Sequence, residues 1–394
     1  MSEWKKCKLG ELCRDISYGY TESASFEPIG PKFLRITDIV PGRVNWATVP
    51  YCKISHANRE KYKLQEGDIV IARTGATTGY TYTIKPSDLI HDVIFASYLI
   101  RYRMDNQKAD PFYIGHLLTS TSWKGFVDGI IGGSAQPGIS AKRFADFEIS
   151  IPPLPEQRAI AGLLSSLDDK IDLLHRQNKT LEAMAETIWQ KMFVEEAKDT
   201  WITVAVKDMI NILSGFAFKS SDFVDNGKYR LITIKNVQDG YLDLSRTDYL
   251  GVIPEGMPDY CFLQNGDILL SLTGNVGRCC LVNEENLLLN QRVAKLQARN
   301  VRDSAFTYIM FRQKTMRSIL EELAKGTAQA NLSPVETASY EIQIPPDDLL
   351  KNYSEEATPL IKKVLNNFNH IRTLSRLRDT LLPKLMSGEV RVRA

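Results

Sequence analysis

Two glutamines stand in matching phrases, Gln136 in GSAQPGIS (133–140) and Gln329 in GTAQANLS (326–333), 193 residues apart. A glutamine amide sets a donor beside an acceptor, the pattern that pairs in bidentate fashion with an adenine edge. The same side chain can also cap its own loop, and residue type alone leaves both readings open. Ser134, Thr327 and Asn331 add polar groups to these phrases. Each phrase leads into a helix start. In the second copy Ser333 is the expected cap, Pro334 takes the first helical position and Glu336 completes a capping box; Ser140 is the matching cap in the first. A free helix amino terminus attracts phosphate.

Two further pairs of turns carry similar chemistry. RTGATTGY (73–80) and LTGNVGR (272–278) place Arg73, Thr77, Thr78, Asn275 and Arg278 on glycine-rich turns. SYGYTESASF (17–26) and LSGFAFKSSDF (213–223) do the same for Tyr18, Tyr20, Phe216 and Lys219. Any one such stretch reads as an ordinary turn, but three at corresponding places in two copies read as candidate nucleic-acid contacts.

Catalytic chemistry has no visible residue set. No two glycines stand two apart, so the Gly-x-Gly turn of dinucleotide and S-adenosylmethionine sites is missing. There is no Gly-x-x-x-x-Gly-Lys-Ser/Thr loop, and no Pro-Asp with a following Asp/Glu-x-Lys that would suit a metal nuclease. His56, His91, His116, His175 and His370 do not recur between copies and read as surface or structural residues. Cys7, Cys13, Cys52, Cys261, Cys279 and Cys280 form no Cys-x-x-Cys pair, which points to reduced thiols and to no metal site.

The elements that position these turns are themselves duplicated. LQEGDIVIARTG (64–75) returns as LQNGDILLSLTG (263–274), EISIPP (148–153) as EIQIPP (341–346), and Trp4 as Trp201. The chain of 394 residues is one unit of about 195, written twice. With 43% apolar and 24% charged residues it suits two well-buried cores. No apolar stretch of membrane-spanning length and no apolar amino-terminal signal core occurs, so a cytoplasmic location is expected. A net charge of +2 predicts no nucleic-acid binding by itself, and any such contact must come from a local patch or a partner's help.

In each copy a globular part precedes a helical part. GDIVIA and GDILLS read as buried strands, and residues 93–104 alternate as one strand. Phe112–Leu118 and Ala305–Leu323 read as helices, giving an α+β domain in each half. From Ala159 to Phe193 apolar residues recur at three and four (Ile160, Leu164, Leu167, Ile171, Leu174, Leu181, Ala185), with Asn178 as the polar member of the seam. The second copy repeats this through Ala357, Val364, Ile371 and Leu385, with Asn367 and Arg378 intruding. Each rod is longer than its domain is wide, and the second must run back along the first. The expectation is two tandem α+β domains, each followed by a long helix, with an antiparallel coiled coil and an internal pseudo-two-fold axis. Asn178 and Asn367 would set the register. The boundaries are 1–151, 152–197, 198–345 and 346–394.

Residues 151–193, with Leu154-Pro155-Glu156-Gln157-Arg158 leading the heptad helix, follow a domain that opens WKKCKLGELC and contains LQEGDIVIARTG. In this the chain resembles, over its full length, the specificity subunits of type I restriction–modification enzymes. The resemblance implies two target-recognition domains that each read half of a split double-stranded DNA site. It implies a chain without catalysis of its own, whose helices dock two methyltransferase subunits, with Pro155, Glu156, Gln157 and Arg158 as the docking residues. Those partners would bring S-adenosylmethionine and methylate adenine, and restriction subunits would bring ATP and Mg. The second copy departs at PPDDLLKNY, which lacks Pro-Glu-Gln. A coiled-coil scaffold or adaptor without sequence readout is the alternative reading.

Overall fold

The fold was analysed in a computed structural model that describes residues 4–40, 42–132, 138–325 and 331–392. The chain packs as two units, Met1–Lys170 with Leu374–Ala394, and Ile171–Thr373. The division falls inside both long helices, so each unit holds one globular part, the start of one long helix and the end of the other.

In the first unit the alternating segments form two sheets. The main sheet runs Cys13–Tyr18, Leu99–Met104, Ile69–Ala72, Thr81–Thr83, all antiparallel. The small sheet runs Ala24–Ser25, Tyr51–Cys52, Lys32–Leu34, Val93–Phe95, with its last pair parallel. The helices Pro111–Leu117 and Thr121–Gly132 join the main sheet around Trp123, Tyr102, Tyr113 and Phe144, all nearly inaccessible. A third pair, Lys5–Lys8 against Glu148–Ile151, ties the start of the domain to the strand that enters the first long helix. The second unit repeats this plan: Ile210–Ser214, Val293–Ala298, Ile268–Ser271, Cys279–Leu281 form the main sheet, and Ile202–Ala205 pairs with Glu341–Ile344. Its small sheet has one strand more, Phe262–Leu263, where the first unit has only the bridge Lys63–Ile94.

The expected continuous strand over 93–104 is two strands. Val93–Phe95 belongs to the small sheet and Leu99–Met104 to the main sheet. Between them the chain turns at 96–98, closed by Leu99 N donating to Ala96 O at 2.9 Å. Alternation cannot reveal this, because both strands keep period two through the turn. The expected helix over 305–323 is likewise two, Ser304–Arg312 and Lys314–Ala324, broken where Gln313 is extended.

The long helices are Leu154–Gln190, continued by one wide turn at Lys191–Glu195, and Asp347–Ser387. In the first unit Glu156 pairs with Arg391 and Asp168 with Arg378; in the second Tyr353 donates to Ala185 O and Asn178 to Val364 O. Within each unit, therefore, the two helices run antiparallel. Asn178 and Asn367 are both buried, and Asn367 Nδ2 donates to Asn178 Oδ1 at 2.8 Å. Apolar neighbours would leave either amide unsatisfied in any other register, a cost of about 1–3 kcal/mol. Among the described residues no helix is long and apolar enough to cross a membrane.

Candidate nucleic-acid interface

Glycine decides the first contact. A Cβ on Gly19 would collide with the Ala96 carbonyl, and one on Gly215 with the Asn290 carbonyl. Only glycine lets the backbones approach so closely. Tyr20 N then donates to Phe95 O at 2.8 Å and Ser97 N to Tyr20 O at 2.8 Å. Phe216 N to Leu289 O at 2.9 Å and Gln291 N to Phe216 O at 3.0 Å repeat the pair in the second unit.

The turn thus held receives the Thr-Gly segment. Arg73 N donates to Tyr98 O, and Leu272 N to Arg292 O, each at 3.0 Å. The far end of the Gln-containing phrase closes the set: Ile139 N donates to Arg73 O at 2.8 Å, and Leu332 N to Leu272 O at 2.7 Å. Four segments far apart in sequence are therefore cross-linked, backbone to backbone, in the same order in both units. Such bonds occupy main-chain groups and leave the residue types of the segments free to differ between the two units.

The sequence candidates divide on this frame. Tyr18 is 42% exposed, lies under the Arg73 guanidinium at 4.9 Å, and accepts a hydrogen bond from Ala141 N at 3.0 Å. Asn275 and Asn331 are exposed, and Asn331 bridges to Thr273. Arg278 is half-buried and donates to Gln238. Thr78 spends its hydroxyl on Gly75 O in its own turn, beside half-buried Thr77. Lys219 is exposed at the start of a short helical turn, Ser220–Asp222. Tyr20 and Phe216 turn inward, Tyr20 against Tyr62 and Phe216 against Phe218, so both serve packing. Ser134, Gln136, Thr327 and Gln329 lie outside the described residues. Two buried polar atoms of the frame, Arg73 Nε and Thr273 Oγ1, have no hydrogen-bond partner among the described residues.

The helix starts behave differently from expectation. Ser140 and Ser333 do cap, accepting from Arg143 N and Glu336 N. The helices are only five and six residues long, Ala141–Ala145 and Pro334–Ser339, and the Glu336 carboxylate closes no capping box. The Ala141 amide is taken by Tyr18 and Pro334 has none to offer, so each helix start lacks the first of the amides a phosphate would use. The sequence reading also passed over Tyr98, 62% exposed, and its counterparts Gln291 and Arg292, both exposed. The polar run Asn290-Gln291-Arg292 between LLL and VAKLQA was the available signal, hidden in the first copy by Ala96-Ser97-Tyr98.

At the start of the first long helix, Pro155 and Arg158 are exposed, whereas Glu156 and Gln157 are buried. Gln157 accepts from Asp110 N at 2.9 Å and donates to Pro152 O at 2.8 Å, and Glu156 holds Arg391. Beside them lies a cleft of about 520 Å³ lined by Lys5, Cys7, Leu12, Lys108, Ile151 and Leu154 among others. At the matching place in the second unit Arg302 grips Asp347 with both terminal nitrogens.

Residues 1–183 and 198–358 match the family described as type I restriction modification DNA specificity domain. The chain is 23% identical over 356 residues to the type I restriction enzyme MjaVIII specificity subunit of Methanocaldococcus jannaschii, covering 84% of this chain and 80% of that one. It is 21% identical over 471 residues to the HindI specificity subunit of Haemophilus influenzae, covering 99% and 100%. The crystal structure of a type I restriction–modification S subunit from M. genitalium shares the fold, with a TM-score of 0.60 and 16% identity over 97% of this chain and 96% of that one. Two copies of one globular plan, paired helices and a family match over both halves lead to one conclusion: the chain belongs to the type I restriction–modification DNA specificity family, as a specificity subunit.

Proposed function

We propose that this subunit reads a split double-stranded DNA site, one half with each unit, and has no catalytic role of its own. Its long helices dock two methyltransferase subunits, which supply S-adenosylmethionine and methylate adenine; restriction subunits of the full complex supply ATP and Mg. The observation that carries the reading is the backbone frame built twice, identical in its bonds and different in the side chains it presents. Two readers of one design are what a bipartite site requires, and shape plus base-edge contacts let each be specific. Near-neutral net charge fits a reader whose phosphate contacts come largely from its partners.

Replacing residues 1–151 by the corresponding domain of another family member tests it. Methylome sequencing of a host carrying the assembled methyltransferase should find one half of the methylated site changed and the other kept. Change in both halves would overturn the independence of the two readers. A complex that shifts DNA without sequence preference would favour the scaffold alternative, and native mass spectrometry showing only a one-to-one complex would overturn docking of two methyltransferases.

A further inference from the structure

We infer that the turns 96–98 and 290–292 are specificity-determining, with Tyr98 facing the half-site of the first unit and Gln291 and Arg292 that of the second. The inference rests on the DNA-reading function proposed above. Three observations carry it. First, each turn is the place where the other segments of the frame meet. Its main chain accepts from the Thr-Gly segment and donates to the residue after Gly19 or Gly215, and Ala96 N and Asn290 N donate to Leu34 O and Ile232 O of the small sheet. A turn fixed on every side holds its side chains at a set position, which base-edge recognition needs. Second, the side chains that need no place in the core are the ones left outside: Tyr98 is 62% exposed, and Gln291 and Arg292 are exposed, in a frame whose glycines are forced by contact. Third, the bonds are the same in both copies while the residues differ in chemistry, Ser97-Tyr98 against Gln291-Arg292. A structural role would keep residue type; two different half-sites would change it. Arginine presents a fork that fits guanine O6 and N7, glutamine a pair that fits adenine N6 and N7, and tyrosine an aromatic face with a hydroxyl.

The test uses the complex with its co-expressed modification subunits and two duplexes. One carries the site that the wild type methylates; the other has the half read by the second unit scrambled. Arg292→Ala and Gln291→Ala should each lower the ratio of affinities for these duplexes by roughly five- to 150-fold, the discrimination of a bidentate base contact. Arg292→Lys, which keeps the charge and removes the fork, should lose most of the same ratio and keep its affinity for the scrambled duplex. Tyr98→Ala should lower the corresponding ratio measured with a third duplex, scrambled in the half read by the first unit. Unchanged ratios in these variants, with affinity either kept or lowered equally on both duplexes, would overturn the inference, since a phosphate contact weakens all sequences alike. A wild-type complex that does not discriminate the two duplexes would instead overturn the DNA-reading function itself.

Discussion

The two units place different residues on one backbone frame, and the differences occur in matched sets. In the first, Tyr18 reaches the amide of Ala141; in the second, Ser214 stands for Tyr18 and Pro334 for Ala141. Proline has no amide hydrogen to give, and the shorter serine could not reach one, so both partners of the bond are absent together. Ser214 O is used instead by the Tyr260 hydroxyl at 3.0 Å. A second set lies where each domain meets the long helices. Tyr308 of the second unit donates to Glu182 at 2.6 Å beside Arg312, whose side chain is 14% exposed. The matching residue of the first unit is Gly115, whose missing side chain makes room for Thr83; there His116, Asp168 and Arg378 do the joining, with Arg378 33% exposed. The backbone bonds are common to both units and the side-chain contacts differ as whole groups, because losing one member of a buried set leaves the rest unsatisfied.

The sharpest way to break this comparison is to remove one charge from each joint. Glu182→Ala leaves the buried Arg312 guanidinium only Glu186, at 3.6 Å, and the Tyr308 hydroxyl, and should cost up to about 3–5 kcal/mol, whereas Asp168→Ala frees a partly solvated one and should cost about 1 kcal/mol or less. Calorimetric unfolding of the two variants decides; equal losses would mean that the joints do not differ in kind. The shared frame predicts the opposite pattern. Gly19→Ala and Gly215→Ala should be destabilising by similar amounts, about 1–3 kcal/mol each, because each forces apart the same pair of backbones. Denaturant titration showing a large effect at only one of them would end the claim of a common frame. Tyr18→Phe should remove about 1 kcal/mol from the first unit through the lost bond to Ala141, and Ser214→Ala almost nothing from the second. Amide exchange at Ala141 reports the first directly.

The smallest effect concerns pH. Burial holds His116 below its ordinary value of 6.5, against the pull of Asp168 and with help from Lys85 and Arg378. Because the folded protein disfavours its proton, His116 contributes stability above 6.5 that is lost as pH falls through that value and then through its folded one. Melting temperatures of the wild type should therefore fall more between pH 7.5 and 5.5 than those of His116→Gln. No counterpart exists in the second unit, where Ile309 takes this place. A variant as pH-sensitive as the wild type would remove His116 from the joint.

Much of the architecture was legible because it rests on periodicity. Apolar spacing of three and four announced both long helices, and Asn178 and Asn367 stood out as polar residues on an apolar seam. The helix boundaries shifted: the first begins at Leu154, before Pro155, since proline is tolerated in a first turn. Of the candidate site, Tyr18, Arg73, Asn275 and Asn331 fall on the frame, while Tyr20 and Phe216 were drawn into small cores that aromatic type alone does not foretell. Tyr98 was passed over because a turn between two alternating strands leaves the alternation intact.

What the sequence by itself determined is whatever a side chain states locally: the duplication, the two helical seams, the capping serines, and glycine where a turn or a close approach needs it. What only the tertiary structure decided is which distant segments meet. The bonds from residue 20 to 95, from 73 to 98 and from 139 to 73 join main-chain groups, and so do their counterparts in the second unit. Every residue but proline carries the same N–H and C=O, so these bonds leave almost no mark on residue type. Nor could local pattern show that each long helix divides between two units, since the seam looks alike along its length and the choice of which domain it covers is made by packing.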